Sequence, residues 1–145
     1  MRLLILFVLL LVVGWVYVRF APADNATWHV DPVTAKSPGK GGYRITLSTL
    51  ETPKNILKEI GKIASDTPRM KILTGSIDAG RITYVARSAV FGFPDYVTVQ
   101  ATADDTGSTV TILGRLRFGR SDFQVNRSRI NTWIERLQGL GLINE

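Results

Sequence analysis

Apolar positions form one continuous block and then settle into two alternating rhythms. Leu3 to Val18 (LLILFVLLLVVGWVYV) holds no charged residue and no polar face, so it does not read as a buried or surface helix of a soluble domain. Beyond Gly42 the pattern changes. Tyr43 to Thr49 alternates apolar and polar residues, the two-residue period of a half-buried strand. Thr52-Pro53 then opens a helix, because threonine caps free amides and proline is tolerated at the first helical position. Ile56, Leu57, Ile60 and Ile63 share one helical face, and Lys54, Lys58 and Lys62 form a solvated row on another. Gly61 weakens this helix by about 1 kcal/mol relative to alanine, a cost that close packing would offset. Pro68 closes it.

Met70–Ile77, Arg81–Ala89, Tyr96–Ala103 and Thr109–Leu116 read as four strands. Asp78-Ala79-Gly80 and Asp104-Asp105-Thr106-Gly107 supply hairpin turns, so consecutive strands pair antiparallel. Phe91-Gly92-Phe93-Pro94-Asp95 interrupts the middle pair as a loop or bulge. The last helix is predicted from about Ser121 to Leu137. Ser121 and Gln124 have capping-box spacing, and Asp122 suits the helix dipole. Phe123, Ile130, Ile134 and Leu137 make its stripe, and Gly139 and Gly141 stop it. The order β-α-β-β-β-β-α implies an α+β fold: an antiparallel sheet of about five strands with two helices packed on one face. Three segments follow: a transmembrane signal anchor (1–21), a linker (22–42) marked by Pro22, Pro32, Pro38 and Gly39-Lys40-Gly41-Gly42, and a single α+β domain (43–145).

The sixteen residues of the apolar block rise about 24 Å as a helix, against a bilayer core of about 30 Å. Arg19 can snorkel to the headgroups, so that Phe20 and Ala21 extend the span. Trp15 and Tyr17 suit an interface. The short tail stays in the cytoplasm more easily than a folded domain, which places the N-terminus in and the domain out. The alternative is secretion after cleavage near Ala23, since Ala21-Pro22-Ala23 fits an A-x-A site.

The net charge is +6, and removing Arg2 and Arg19 leaves +4 for the exported part. A basic domain near a membrane suits anionic headgroups, anionic polymers or an acidic protein; nucleic acid is excluded as a partner by export. The chain has no cysteine and one histidine, which excludes disulfides, thiolate chemistry and a compact zinc site. No metal or other cofactor is expected. His29 reads as an exposed bystander in the linker. Nucleophile motifs of the G-x-S-x-G type are absent, and Gly39-Lys40-Gly41-Gly42 lacks the strand and helix of a phosphate loop.

Six arginines lie between Arg115 and Arg136, against Asp122 and Glu135. Arg117 and Arg120 stand just before the predicted helix, and Asp122, Asn126 and Arg129 share one of its sides. Arginines with free helix amides suit a phosphate, sulfate or carboxylate. The structural alternative is a network in which Asp122 pairs with Arg120 or Arg129 and Asn126 ties the helix to a strand edge.

This block, with the loop before it, resembles the bacterial and plastid family named domain of unknown function 1499. The resemblance rests on Phe93 and Asp95 and on Arg117, Gly119, Ser121, Asp122, Val125, Asn126, Arg127, Arg129 and Ile130, and covers about Tyr43 to Leu137. Three features depart from the family pattern. Trp28-His29-Val30-Asp31-Pro32 occupies the neighbourhood of a cysteine-containing segment, Gln124 stands at a usual glycine, and Leu113 stands where relatives often carry arginine. The resemblance implies fold and export, and carries no activity.

The expected function is a non-catalytic envelope domain, single-pass in a bacterial inner membrane with the domain on the periplasmic side. It would bind a protein partner or an anionic ligand through Arg117, Arg120, Asp122, Asn126 and Arg129, with Asp95. One alternative is a hydrolase using Asp95 and Asp122 as a carboxylate pair. Another is a carrier of an apolar ligand held between sheet and helix by Phe91, Phe93, Phe118 and Trp133.

Overall fold

The computed structural model describes residues 1–143. The fold is α+β. Helix α1 (Arg2–Phe20) is followed by a single turn, α2 (Asn25–Trp28), and a 3-10 turn at Gly39–Gly41. The remainder is β1 (Gly42–Thr49), α3 (Pro53–Asp66), β2 (Met70–Ser76), β3 (Arg81–Arg87), β4 (Pro94–Ala103), β5 (Ser108–Leu116) and α4 (Val125–Gly139). The five strands form one antiparallel sheet in the order β1-β5-β4-β3-β2.

Both longer helices of the domain cover one face. Thr52 caps α3 by accepting from the Asn55 amide, with Pro53 in the first turn. Ile56, Leu57, Ile60, Ile63 and Ala64 are buried from α3, and Ile130, Trp133 and Leu137 from α4. They meet Ile82, Tyr84, Val97, Val99, Val110 and Ile112 of the sheet in one core. Alternate strand residues supply that face because the side-chain period is two. Gly114 lies where α4 comes closest: an added Cβ would stand 3.0 Å from Asn126 Oδ1 and 3.1 Å from Ile130 Cδ1. Gly61 has no such constraint. A Cβ there meets only the Tyr84 hydroxyl, at 3.8 Å, so close packing does not account for that glycine.

The sequence places a stripe residue at Phe123, but α4 begins two residues later and Phe123 is 92 % exposed. Trp133 takes the central core place instead. Its ring meets Tyr84 edge-on, and its Nε1 donates to Thr67 Oγ1 at 3.0 Å. The tryptophan is therefore core and stands apart from the phenylalanines expected to share a cavity with it.

The segment read as a linker is a strap across the second face of the sheet. Tyr96, Thr83, Thr98, Thr111 and Leu113 are buried on this side. Trp28 stacks on Tyr96 at 3.9 Å between centroids. Arg115 reaches the Trp28 and Thr27 carbonyls and lies over the Trp28 ring. Arg44 donates to the carbonyls of Val33, Ala35 and Lys36. His29 belongs to the same network and is half-buried: its Nδ1 lies 2.9 Å from Thr83 Oγ1, which meets Thr98 Oγ1 at 3.0 Å. Burial first, then the Arg81 charge, lowers its pKa.

Trp28→Ala is expected to lower the stability of the full chain in mild detergent by about 2–4 kcal/mol, read from the urea midpoint. Tryptic cleavage at the exposed strap residues Lys36 and Lys40 should accelerate in parallel. An unchanged midpoint would show that the strap adds nothing to the sheet.

Candidate functional site

The residues of the arginine block divide between the two faces of the sheet. Arg115 and Arg117 point to the strap side, since residues two apart on a strand share a face. Arg117 Nη1 donates to Tyr96 OH and to the Pro22 carbonyl, both at 2.9 Å. Its guanidinium holds the chain where it leaves α1 and is not part of an anion site with Arg129. Arg120 is exposed at the tip of the β5–α4 connection.

The other four predicted residues do come together, on the helix side. Asp95, second residue of β4, is buried beneath the start of α4. Arg129 Nη1 lies 3.7 Å from its carboxylate and 2.8 Å from Asn126 Oδ1. Asn126 is fully buried, and its Nδ2 donates to the Gly41 carbonyl at 3.3 Å, tying α4 to the start of β1. Asp122 accepts from the Gln124 amide at 3.0 Å and the Asn126 amide at 2.7 Å.

Those bonds correct the predicted helix start. Ser121 and Gln124 do not form a capping box. Asp122 through Val125 is a turn closed by Val125 N to Asp122 O at 3.1 Å, and the Asp122 carboxylate takes the free amides. Ser121 Oγ accepts from the Phe123 amide instead. Phe123 and Gln124 have φ of 52° and 68°, a left-handed conformation that costs an L-residue roughly 1–2 kcal/mol. Glycine adopts such a conformation without strain, and neither position carries one.

A cavity of about 260 Å³ opens over this cluster. Asp95, Asp122 and Arg129 form its polar floor, and Phe93, Phe118 and Phe123 its rim. Burial pushes the Asp95 carboxyl up to about 6; Arg129 draws it down, while Asp122 adds to the rise. Burial likewise lowers the Arg129 guanidinium, with Asp95 and Asp122 opposing. Desolvation thus outweighs the attraction within the pair, as expected of a buried ion pair. Among the described residues, no group of three or more histidine, aspartate or glutamate side chains is placed to hold a metal.

Residues 21–137 match the model of a family described as "Protein of unknown function (DUF1499)". The chain belongs to this family. The matched span begins at the strap, so the DUF1499 unit includes both coverings of the sheet. Its fold is also that of protein MLL2253 from Mesorhizobium loti, with a TM-score of 0.53 at 12 % identity over 68 % of this chain and 95 % of that one. Protein CV1439 from Chromobacterium violaceum aligns with a TM-score of 0.47 at 13 % identity, over 68 % and 93 % of the two chains. No curated protein matches the chain.

Two outcomes test the geometry of this DUF1499 site. Gln124→Gly should raise stability by about 1 kcal/mol, seen as a later urea midpoint, because glycine adopts the left-handed conformation without strain. A lower midpoint would mean the Gln124 side chain contributes more than its backbone costs. The raised Asp95 pKa also makes stability depend on pH. Between about pH 6 and the unfolded value of 3.8 the folded state holds a proton that the unfolded chain has lost. Its contribution is complete below about pH 4 and is lost as pH rises through about 6. Melting temperatures of wild type and Asp95→Asn across this window should converge in slope only if another group governs it; the variant should lack the Asp95 contribution.

Proposed function

We propose that the protein is a single-pass, membrane-anchored binding domain of the bacterial cell envelope, non-catalytic, with α1 as anchor. The N-terminus lies in the cytoplasm and the sheet domain on the periplasmic side of the inner membrane. Support for the anchor comes from α1 itself: nineteen residues, long and apolar enough to cross a membrane, and buried nowhere along its length. At about 1.5 Å per residue it rises about 28 Å, close to the hydrocarbon thickness. Arg2 and Arg19 bracket it.

The observation that carries the binding reading is the cavity over Asp95 and Arg129. Two carboxylates face one guanidinium on its floor, so it suits a guest with an apolar body and a cationic or hydrogen-bond-donating end. A side chain of an envelope protein partner has this chemistry. A free inorganic anion does not fit, because Arg117 is spent on the chain leaving α1 and Arg120 stands outside.

The hydrolase reading has one observation in its favour, the shared cavity of Asp95 and Asp122 with Asp95 pushed up to about 6. It is the weaker reading, because both Asp122 oxygens accept backbone amides and their removal would undo the start of α4.

The test is affinity purification of the detergent-extracted full chain, with mass spectrometry of what co-purifies. Asp95→Asn and Phe93→Ala, each verified by circular dichroism, should lose the partner at least tenfold, while Arg120→Ala should retain it. Identical composition for all four chains would reject the cavity as the site. Carbonate extraction tests the anchor separately, since a chain released into the supernatant is not an integral membrane protein.

A further inference from the structure

Five exposed apolar side chains of the domain gather at one end of the sheet, while Val33, Leu50, Ile72 and Leu140 are exposed singly elsewhere. The β3–β4 loop presents Val90, Phe91 and Phe93, and the β5–α4 connection presents Phe123 and Val125 at its junction with the helix. Phe93 bridges Phe91 and Phe118, with ring centroids 5.6 and 6.3 Å away. Antiparallel pairing puts both connections at the sheet end where the chain leaves α1. Large exposed patches of this kind mark interaction surfaces.

Two independent features identify what covers this one. The first is its register against α1. Phe91 and Phe93 share an apolar crevice of about 590 Å³ with Leu11, Trp15 and Val18. Trp15 lies five residues before the end of α1, about 7.5 Å along the axis. The loop therefore overlaps the apolar length of the helix and is not confined beyond its polar end at Arg19. The second feature is charge. Arg19, Arg69, Lys71 and Arg87 line one depression at this end, exposed Arg120 precedes α4, and exposed Arg127 lies in its first turn. Glu51, Asp78, Asp104 and Asp105 occupy turns at the opposite end.

We infer that this end of the domain is seated in the bilayer. The phenylalanine rim enters the acyl region beside α1, and the surrounding arginines and lysines meet anionic lipid headgroups. The domain is docked on the membrane through Phe91, Phe93 and Phe123, and the cavity over Asp95 and Arg129 opens at headgroup level. The inference rests on the anchor reading of α1.

The absence of cysteine makes a direct test clean. Single cysteines replace Val8, Phe91, Phe123 and Asp105 (V8C, F91C, F123C, D105C) in the full chain, and each carries a nitroxide. All four sites are exposed in the protein, so labelling leaves the core intact. The chains are reconstituted into vesicles of phosphatidylcholine and phosphatidylglycerol, and collision rates with oxygen and with a water-soluble nickel chelate are compared. Labels at 8, 91 and 123 are expected to favour oxygen several-fold, and the label at 105 to favour the chelate. If 91 and 123 match 105 while 8 favours oxygen, the docking is wrong and the anchor stands. If 8 favours the chelate, the anchor is wrong and the docking falls with it.

Discussion

A single sheet has two faces, and this one has enough helix for only one of them. The structure depends on how the second face is kept from water. Tyr96, Leu113, Thr83 and Thr98 are buried there under a strap of low periodicity that contributes one large ring, Trp28. The strap has little apolar area, so hydrophobic burial alone would hold it weakly. Arg44, Arg115 and Arg117 fasten it by donating to its carbonyl oxygens. Guanidinium groups suit this task because one planar fork can reach several acceptors and remains weakly hydrated. The strap's backbone acceptors are thereby satisfied where a strand or helix ladder would otherwise be needed.

That use of arginine changes the meaning of the basic block. Six arginines in twenty-two residues suggest a ligand when the sequence is read as a line. Folding distributes them by strand alternation and helix phase. Arg115 and Arg117 go to the strap, Arg129 turns from α4 toward Asp95, and Arg120 and Arg127 go to solvent. Only Arg129 reaches the cavity, and there it is outnumbered by carboxylates. The structural network foreseen for Asn126 does exist, because it bonds the Gly41 carbonyl. Asp122 serves the turn amides and not Arg120.

The regular elements were legible because each states its period locally. The α3 stripe, the hairpin turns and the strand alternation all fall within a dozen residues. The strap was not legible because its contacts are between side chains and distant carbonyls; Arg115 reaches Thr27 across 88 positions. The turn before α4 was missed for a different reason. Phe123 and Gln124 adopt left-handed backbone without glycine, so no residue type announced it. Within the candidate site, Asp95 and Arg129 were named but their pairing was not. Thirty-four residues separate them, and only the sheet order brings the start of β4 under α4.

Strain, burial and exposure meet at one end of the molecule. The left-handed pair turns Phe123 outward, where it is 92 % exposed. A regular helix begun at Ser121 would have placed this ring in the apolar stripe. Two energetically unfavourable features, a strained turn and an exposed aromatic, therefore have one origin. In water the turn is offset in part by the amides that Asp122 holds, while the exposed ring has no compensation. Against a bilayer the second becomes favourable, since a buried aromatic side chain contributes about 1.5–3 kcal/mol, enough to offset the roughly 1–2 kcal/mol of left-handed strain. The same turn presents the Asp122 carboxylate to the α4 amides and completes the cavity floor. The proposed membrane seating and the shape of the cavity thus both trace to a single local backbone choice.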